Sequence, residues 1–144
     1  MEEMMMDENW WYEKYNRNPK GRKTTDCVFR AISTALQIPY EQVVMEMAEM
    51  QCRTGYDAHE NVLINRYLKS KGWECRKQPR KSDGTKYTGK EFCQALLDQL
   101  IDVPHGTRIV CNIGGHHTSC IIDYKVWDTW DCTYKCVGKY WTKK

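Results

Sequence analysis

The sequence is short of several things, and each shortage narrows what the chain can be. No stretch approaches the ~20 consecutive apolar residues that a membrane-spanning helix requires, so no membrane partner is expected. Neither sign of charge dominates: 22 Lys and Arg stand against 19 Asp and Glu, a net +3. That balance makes nucleic acid an unexpected partner. The first thirteen residues carry no base, and Met4-Met5-Met6 is followed at once by Asp7. A secretory signal needs a positive start and an apolar run, so the expectation is a soluble, cytoplasmic protein. Internal repeats and low-complexity segments are missing. So are the paired Cys-x2-Cys knuckles that usually announce structural zinc. Phenylalanine is scarce, with two Phe against six Trp and nine Tyr, which points to a core whose rings also carry hydrogen-bonding groups.

What is present describes one compact domain. At 144 residues, with 41% hydrophobic and 28% charged side chains, the chain lies in the globular range. A chain of this length buries roughly 70% of its unfolded surface and folds without staples. One domain over 1–144 is expected, with 1–9 as a loose acidic start. The eight cysteines are Cys27, Cys52, Cys75, Cys93, Cys111, Cys120, Cys132 and Cys136. Without a secretion signal, most are expected to be reduced and packed as small hydrophobes.

Periodicity then places the elements. Val28, Ile32, Ala35 and Leu36 mark a helix with Asp26 at its N-cap position, and Pro39 separates it from a second running from Tyr40 to about Met50. Val62, Leu63, Tyr67 and Leu68 form the inward face of a third helix over about 59–70, which Gly72 ends. A fourth is predicted over 90–101, with Phe92, Ala95, Leu96, Leu97 and Leu100 as its stripe. From Thr107 onward the pattern is strand-like: 108–113, 117–123, 126–131 and 137–141, with a tight turn near Tyr124. Helices first and antiparallel strands later describe an α+β domain.

Three positions draw the chemistry together. Cys27 sits in the first turn of the first helix, where unpaired N–H groups and the helix dipole favour thiolate. His116 and His117 open the second C-terminal strand. With a two-residue turn at Asp123-Tyr124 or Tyr124-Lys125, odd positions on that strand share a face with even positions on the next. His117 then shares a face with Asp128, and His116 with Asp131. A base oriented by an acid on the neighbouring strand, serving a thiol at a helix start, is the generalised triad. A metal site is a further reading, built on Cys132, Cys136 and His116 or His117, because Cys-x3-Cys falls within the range of zinc-ligand spacings.

Five motifs in order resemble the small papain-like cysteine peptidase proteins of bacteria and their phages. They are Asn18-Pro-Lys-Gly21, Asp26-Cys-Val-Phe-Arg-Ala-Ile32, Leu63-Ile-Asn-Arg-Tyr-Leu-Lys-Ser-Lys-Gly72, Pro79-Arg-Lys81 with Lys86-Tyr-Thr88, and His117 with Ile121-Ile-Asp123 and Val126-Trp-Asp-Thr-Trp-Asp131. The resemblance runs from about residue 10 to the end. It implies a papain-like α+β fold, with N-terminal helices packed on a C-terminal antiparallel sheet, and no cofactor. It implies Cys27 as nucleophile, His117 as base and Asp128 as orienting acid, acting on a peptide or protein substrate. Such enzymes usually place a Gln about six residues before the nucleophile to hold the oxyanion, whereas Gly21-Arg22 stands here. The Cys27 backbone N–H, with Asn18 or Lys23, is the expected replacement. The alternative is a catalytically weak or inactive papain-like fold that serves as a phage or mobile-element protein engaging a host factor. Its support is the basic loop 76–90, with six bases and one acid, as a face for an acidic partner.

Overall fold

The computed structural model describes residues 8–144, so residues 1–7 of the expected loose acidic start lie outside the described residues. The described residues form four helices and six strands. In order they are β1 (Tyr12–Lys14), α1 (Cys27–Leu36), α2 (Tyr40–Thr54), α3 (Asn61–Ser70), β2 (Trp73–Arg76) and α4 (Gly89–Leu97), then β3 (Ile109–Ile113), β4 (His117–Ile122), β5 (Lys125–Asp128) and β6 (Val137–Lys143).

The strands form one sheet in the order β1-β5-β4-β3-β6-β2. Every neighbouring pair is antiparallel except β1 with β5, which run parallel, so the sheet is mixed rather than purely antiparallel. The α+β class is as expected. The composition of the sheet differs, because β1 and β2 come from outside the C-terminal third. Both are short, and both pair only with strands far along the chain, so local pattern could not reveal them.

The sheet is covered on both faces. On β3, Val110 joins Ala31, Ile32, Ala35, Leu63, Leu68 and Trp141 beneath α1 and α3. Its neighbours Ile109, Cys111 and Ile113 face the other way, toward Phe92, Cys93 and Leu96 of α4. The period of two along a strand is what splits them. Trp141 is fully buried, and its indole N–H donates to Asn65 Oδ1 at 3.0 Å. Trp10 and Trp11 pack on the α4 side, with Trp11 Nε1 donating to Thr133 Oγ1 at 3.0 Å, so this aromatic pair ties down the start of the domain.

Several boundaries differ from the sequence expectation. The fourth helix starts at Gly89 behind a capping box, in which Thr88 Oγ1 accepts from the Glu91 N–H and Glu91 Oε1 accepts from the Thr88 N–H. It ends at Leu97 because Gln99 adopts a left-handed conformation, φ 59°, which throws Leu100 into solvent at 70% exposure. Helix α2 runs a turn further than expected, to Thr54, where Gly55 at φ 81° closes it. Val62, expected inward, is exposed, because Leu63, Ile64, Tyr67 and Leu68 already fill the buried stripe of α3. The third C-terminal strand stops at Asp128 rather than Asp131.

The β4–β5 hairpin sets the site. Its turn is Asp123-Tyr124, both with positive φ (52° and 65°). This is the type I′ geometry whose twist matches that of the flanking strands. Ile122 pairs with Lys125 and Ile121 with Val126, so odd positions on β4 meet even positions on β5.

Candidate active site

Helix α1 packs on β4 and brings its first residue, Cys27, to the strand that begins with His117. Asp26 occupies the N-cap position, but its carboxylate does not cap the helix. Its Oδ1 accepts from Arg30 Nε at 2.8 Å, and its Oδ2 accepts from the Tyr40 hydroxyl at 2.6 Å and the Asn18 amide at 3.0 Å. A charged guanidinium is a stronger partner for a carboxylate than a backbone amide. The first-turn N–H groups of α1 therefore have no side-chain cap, and they lie beside the Cys27 thiol.

The hairpin register delivers the rest. His117 Nε2 and Asp128 Oδ2 are 2.6 Å apart. The same oxygen accepts from Ser119 Oγ at 2.6 Å, while Oδ1 accepts from the Thr129 N–H at 2.7 Å and Arg30 Nη1 at 2.9 Å. The side chain of Asp128 is 2% exposed, so it is a buried carboxylate with every lone pair engaged. Burial pushes its carboxyl up, but hydrogen bonds from His117 and Ser119 and the imidazolium charge outweigh that and hold it below the usual range.

With Nε2 committed to Asp128, Nδ1 is the ring nitrogen left for Cys27. Burial works against a charged imidazole, but the bonds to Asp128, Cys132 and Cys27 push His117 well above its ordinary value. Burial likewise raises the Cys27 thiol. The His117 hydrogen bond, the Thr118 backbone, and the charges of His117 and His59 reverse this and lower it. All three shifts favour a thiolate–imidazolium–carboxylate row. Trp130 lies over the imidazole, with ring centroids 4.9 Å apart, and the half-buried Cys27 opens into a cleft of about 500 Å³.

The structure thus brings Cys27, His117 and Asp128 together. It does not bring His116 to Asp131: His116 sits at the exposed mouth, and Asp131 Oδ1 accepts instead from the Thr133 N–H at 2.9 Å and the Thr133 hydroxyl. The metal set drawn from Cys132, Cys136 and His116 or His117 is not assembled either. Among the described residues, Cys132 joins His117 and Asp128 with donor atoms within 4.8 Å of one another, and Cys136 is not with them. The 2.6 Å between His117 and Asp128 is a hydrogen bond. Two ligand atoms on one tetrahedral zinc sit about 3.3 Å apart.

Four of the six bases in loop 76–90 are already engaged. Arg76 bonds Thr142 and Glu74, and Arg80 bonds Gly84 and Gln78. Lys81 pairs with Glu91 at 2.7 Å, and Lys90 lies 4.5 Å over the Trp11 ring. An acidic partner would find only Lys77 and Lys86 free of such ties.

Arg30, Ser119 and His59 belong to this site without having been singled out in the sequence, and Cys132 had been read only as part of the metal set. For Arg30 a signal existed, an Asp26/Arg30 pair at i,i+4 across the presumed nucleophile. Ser119 follows from the same odd-position rule that chose His117. His59 is 34 residues from Thr25, whose carbonyl it bonds, and nothing local marks it.

Comparison of the chain with protein-family models, with curated proteins and with solved structures finds no match.

Proposed function

We propose that the protein is a papain-like cysteine peptidase or related amide hydrolase that works through an acyl-enzyme. The observation that supports this reading best is a thiol at a helix head lining the same cleft as an imidazole bonded to a buried carboxylate. Cys27, His117 and Asp128 also follow the chain order of papain-like enzymes.

In the proposed reaction the Cys27 proton rests on His117 Nδ1, and the thiolate attacks the substrate carbonyl, forming a C–S bond and an oxyanion. Collapse breaks the bond to the leaving group, which takes the proton from His117. Water, deprotonated by His117, then attacks the thioester; the C–S bond breaks, the acid leaves and the thiolate is restored. Asp128 fixes the tautomer and stabilises the imidazolium. Asn18 is spoken for by Asp26. The uncapped backbone N–H groups at Cys27 therefore remain as the oxyanion donors. One missing donor typically costs about 10²–10³ in rate, so a slow enzyme is expected.

Limiting iodoacetamide at pH 6, with site-resolved mass spectrometry of all eight cysteines, tests the pair. An ordinary thiol is under about 1% thiolate at that pH. Cys27 is expected to label far faster than the exposed Cys52 and Cys136, and His117→Ala to abolish the preference. Labelling of Cys27 no faster than of Cys52 would remove the reading and leave the fold as a binding protein.

A further inference from the structure

We infer that the cleft selects acyl substrates carrying a carboxylate beside the scissile bond; the inference rests on the proposed thiol chemistry for its site and deepens it.

The cleft around Cys27 is lined by Lys23, Arg30, His59, His116 and His117, and by no Asp or Glu. Two of these charges are spent inside the protein, Arg30 on Asp26 and Asp128, and His117 on Asp128. His59 is paired as well, with Asp57, which leaves Lys23 to act on what enters. Lys23 makes no ion pair among the described residues, and neither do Lys20 and Arg22, which precede it on the strap leading into α1. That strap, 16–25, holds four bases and no acid.

His59 carries a fixed charge by a separate argument. Its Nε2 is 2.7 Å from the Thr25 carbonyl oxygen, and its Nδ1 is 3.0 Å from Asp57 Oδ1. Both partners only accept. A neutral imidazole has one donor and one acceptor nitrogen, so only the imidazolium satisfies both contacts. Asp57, 3.0 Å from His59, is not part of the cleft wall. With both N–H groups occupied, His59 contributes field rather than a hydrogen bond, and Lys23 is the side chain able to pair directly with a carboxylate. The uncapped start of α1 adds partial positive charge in the same place. A cleft walled by one sign of charge concentrates the opposite sign.

Paired alkylation kinetics read this without a known substrate. Iodoacetate and iodoacetamide react alike: the Cys27 sulfur attacks the CH₂ carbon, the C–I bond breaks and iodide leaves. They differ in the negative charge one carbon away. The ratio of the iodoacetate rate to the iodoacetamide rate at Cys27 is expected to exceed the ratio at exposed Cys52 by about tenfold or more at low salt. It should collapse toward the Cys52 value near 1 M salt, where the Debye length is about 3 Å. Lys23→Glu should bring it to the Cys52 value or below, and Arg22→Glu should lower it partway. Peptide thioesters with Asp, Asn or Lys beside the thioester should be cleaved in that order. A Cys27 ratio equal to that of Cys52, or unmoved by Lys23→Glu, overturns the inference, as does Lys outrunning Asp. The iodoacetamide rate alone reports the thiolate. Slow iodoacetamide labelling with a high ratio would therefore fail the catalytic reading and keep the cationic field, while fast labelling with an ordinary ratio would do the reverse. A Cys27 that neither reagent reaches sinks both.

Discussion

Replacing Arg30 with Met removes one guanidinium that holds two buried carboxylates at once. Arg30 lies one turn after Cys27, with Nε on Asp26 at 2.8 Å and Nη1 on Asp128 at 2.9 Å, and both acids are almost wholly buried. Deleting one member of a buried ion pair costs about 3–5 kcal/mol, because the survivor stays buried and charged. The two survivors here are unequal. Asp128 keeps the imidazolium of His117 and the hydroxyl of Ser119, whereas Asp26 keeps only the neutral Tyr40 and Asn18. Most of the loss should come from Asp26, so Asp26→Asn in the Arg30→Met background should recover about 2 kcal/mol of it. Urea unfolding at neutral pH should show the full loss, and thermal unfolding a drop of about 10 °C or more. Arg30→Lys should recover part only, since an ammonium cannot span both carboxylates. Burial raises both acids, but the bonds from Tyr40, Arg30 and Asn18 at Asp26, and from His117 and Ser119 at Asp128, outweigh it and depress them, so their stabilisation is present above about pH 4 and is lost as pH falls through the depressed values. The gap between wild type and Arg30→Met should therefore narrow below pH 4. A loss under about 1 kcal/mol, or a gap unchanged from pH 7 to pH 3, would refute the bridge as a stabilising element.

Other consequences are open to direct measurement. Burial raises the Cys27 thiol but the His117 bond outweighs it, so its alkylation rate should rise with pH through a midpoint below the ordinary thiol value, and His117→Ala should move that midpoint upward. Gly89→Ala should destabilise by about 1–3 kcal/mol, because a Cβ there meets the Thr133 Cα at 2.9 Å and Ile113 Cδ1 at 3.0 Å; denaturant midpoints check this. Ser119→Ala leaves Asp128 Oδ2 with one donor fewer and should cost about 1–3 kcal/mol by urea unfolding while Cys27 stays labelled at pH 6. Zinc analysis of the purified protein should return a substoichiometric value, and one zinc per chain would mean that Cys132 and His117 serve a metal instead.

The helices and the four C-terminal strands were legible because each carries its period in consecutive residues. The facing of His117 and Asp128 was legible for the same reason: a two-residue turn converts parity along the chain into proximity across it. What stayed hidden depends on distant partners. Strand β1 is three residues long and exists because β5 lies beside it. Helix α4 stopped early because Gln99 left the helical region, although no Gly or Pro stands there. Asp26 was read rightly as the N-cap position, but its carboxylate's partners, one turn on in α1 and across in α2, could not be read. His59 entered the site through a bond to the Thr25 carbonyl, which no pattern announces.

The parallel pairing of β1 with β5 has a temporal side. Tyr12 donates its hydroxyl to the Asp128 carbonyl across 116 positions of chain, and the Tyr15 N–H donates to the same oxygen. At ribosomal speeds of about 5–20 residues per second, Tyr12 is made roughly 6–23 s before its partner. Cys27, made 101 positions before Asp128, waits about 5–20 s without the carboxylate that orients its imidazole. Such long-range closures are slow to form, because loop entropy is lost before any contact repays it. The thiol is therefore armed late, once the β4–β5 hairpin has closed on α1, and a nascent or partly unfolded chain carries only an ordinary cysteine.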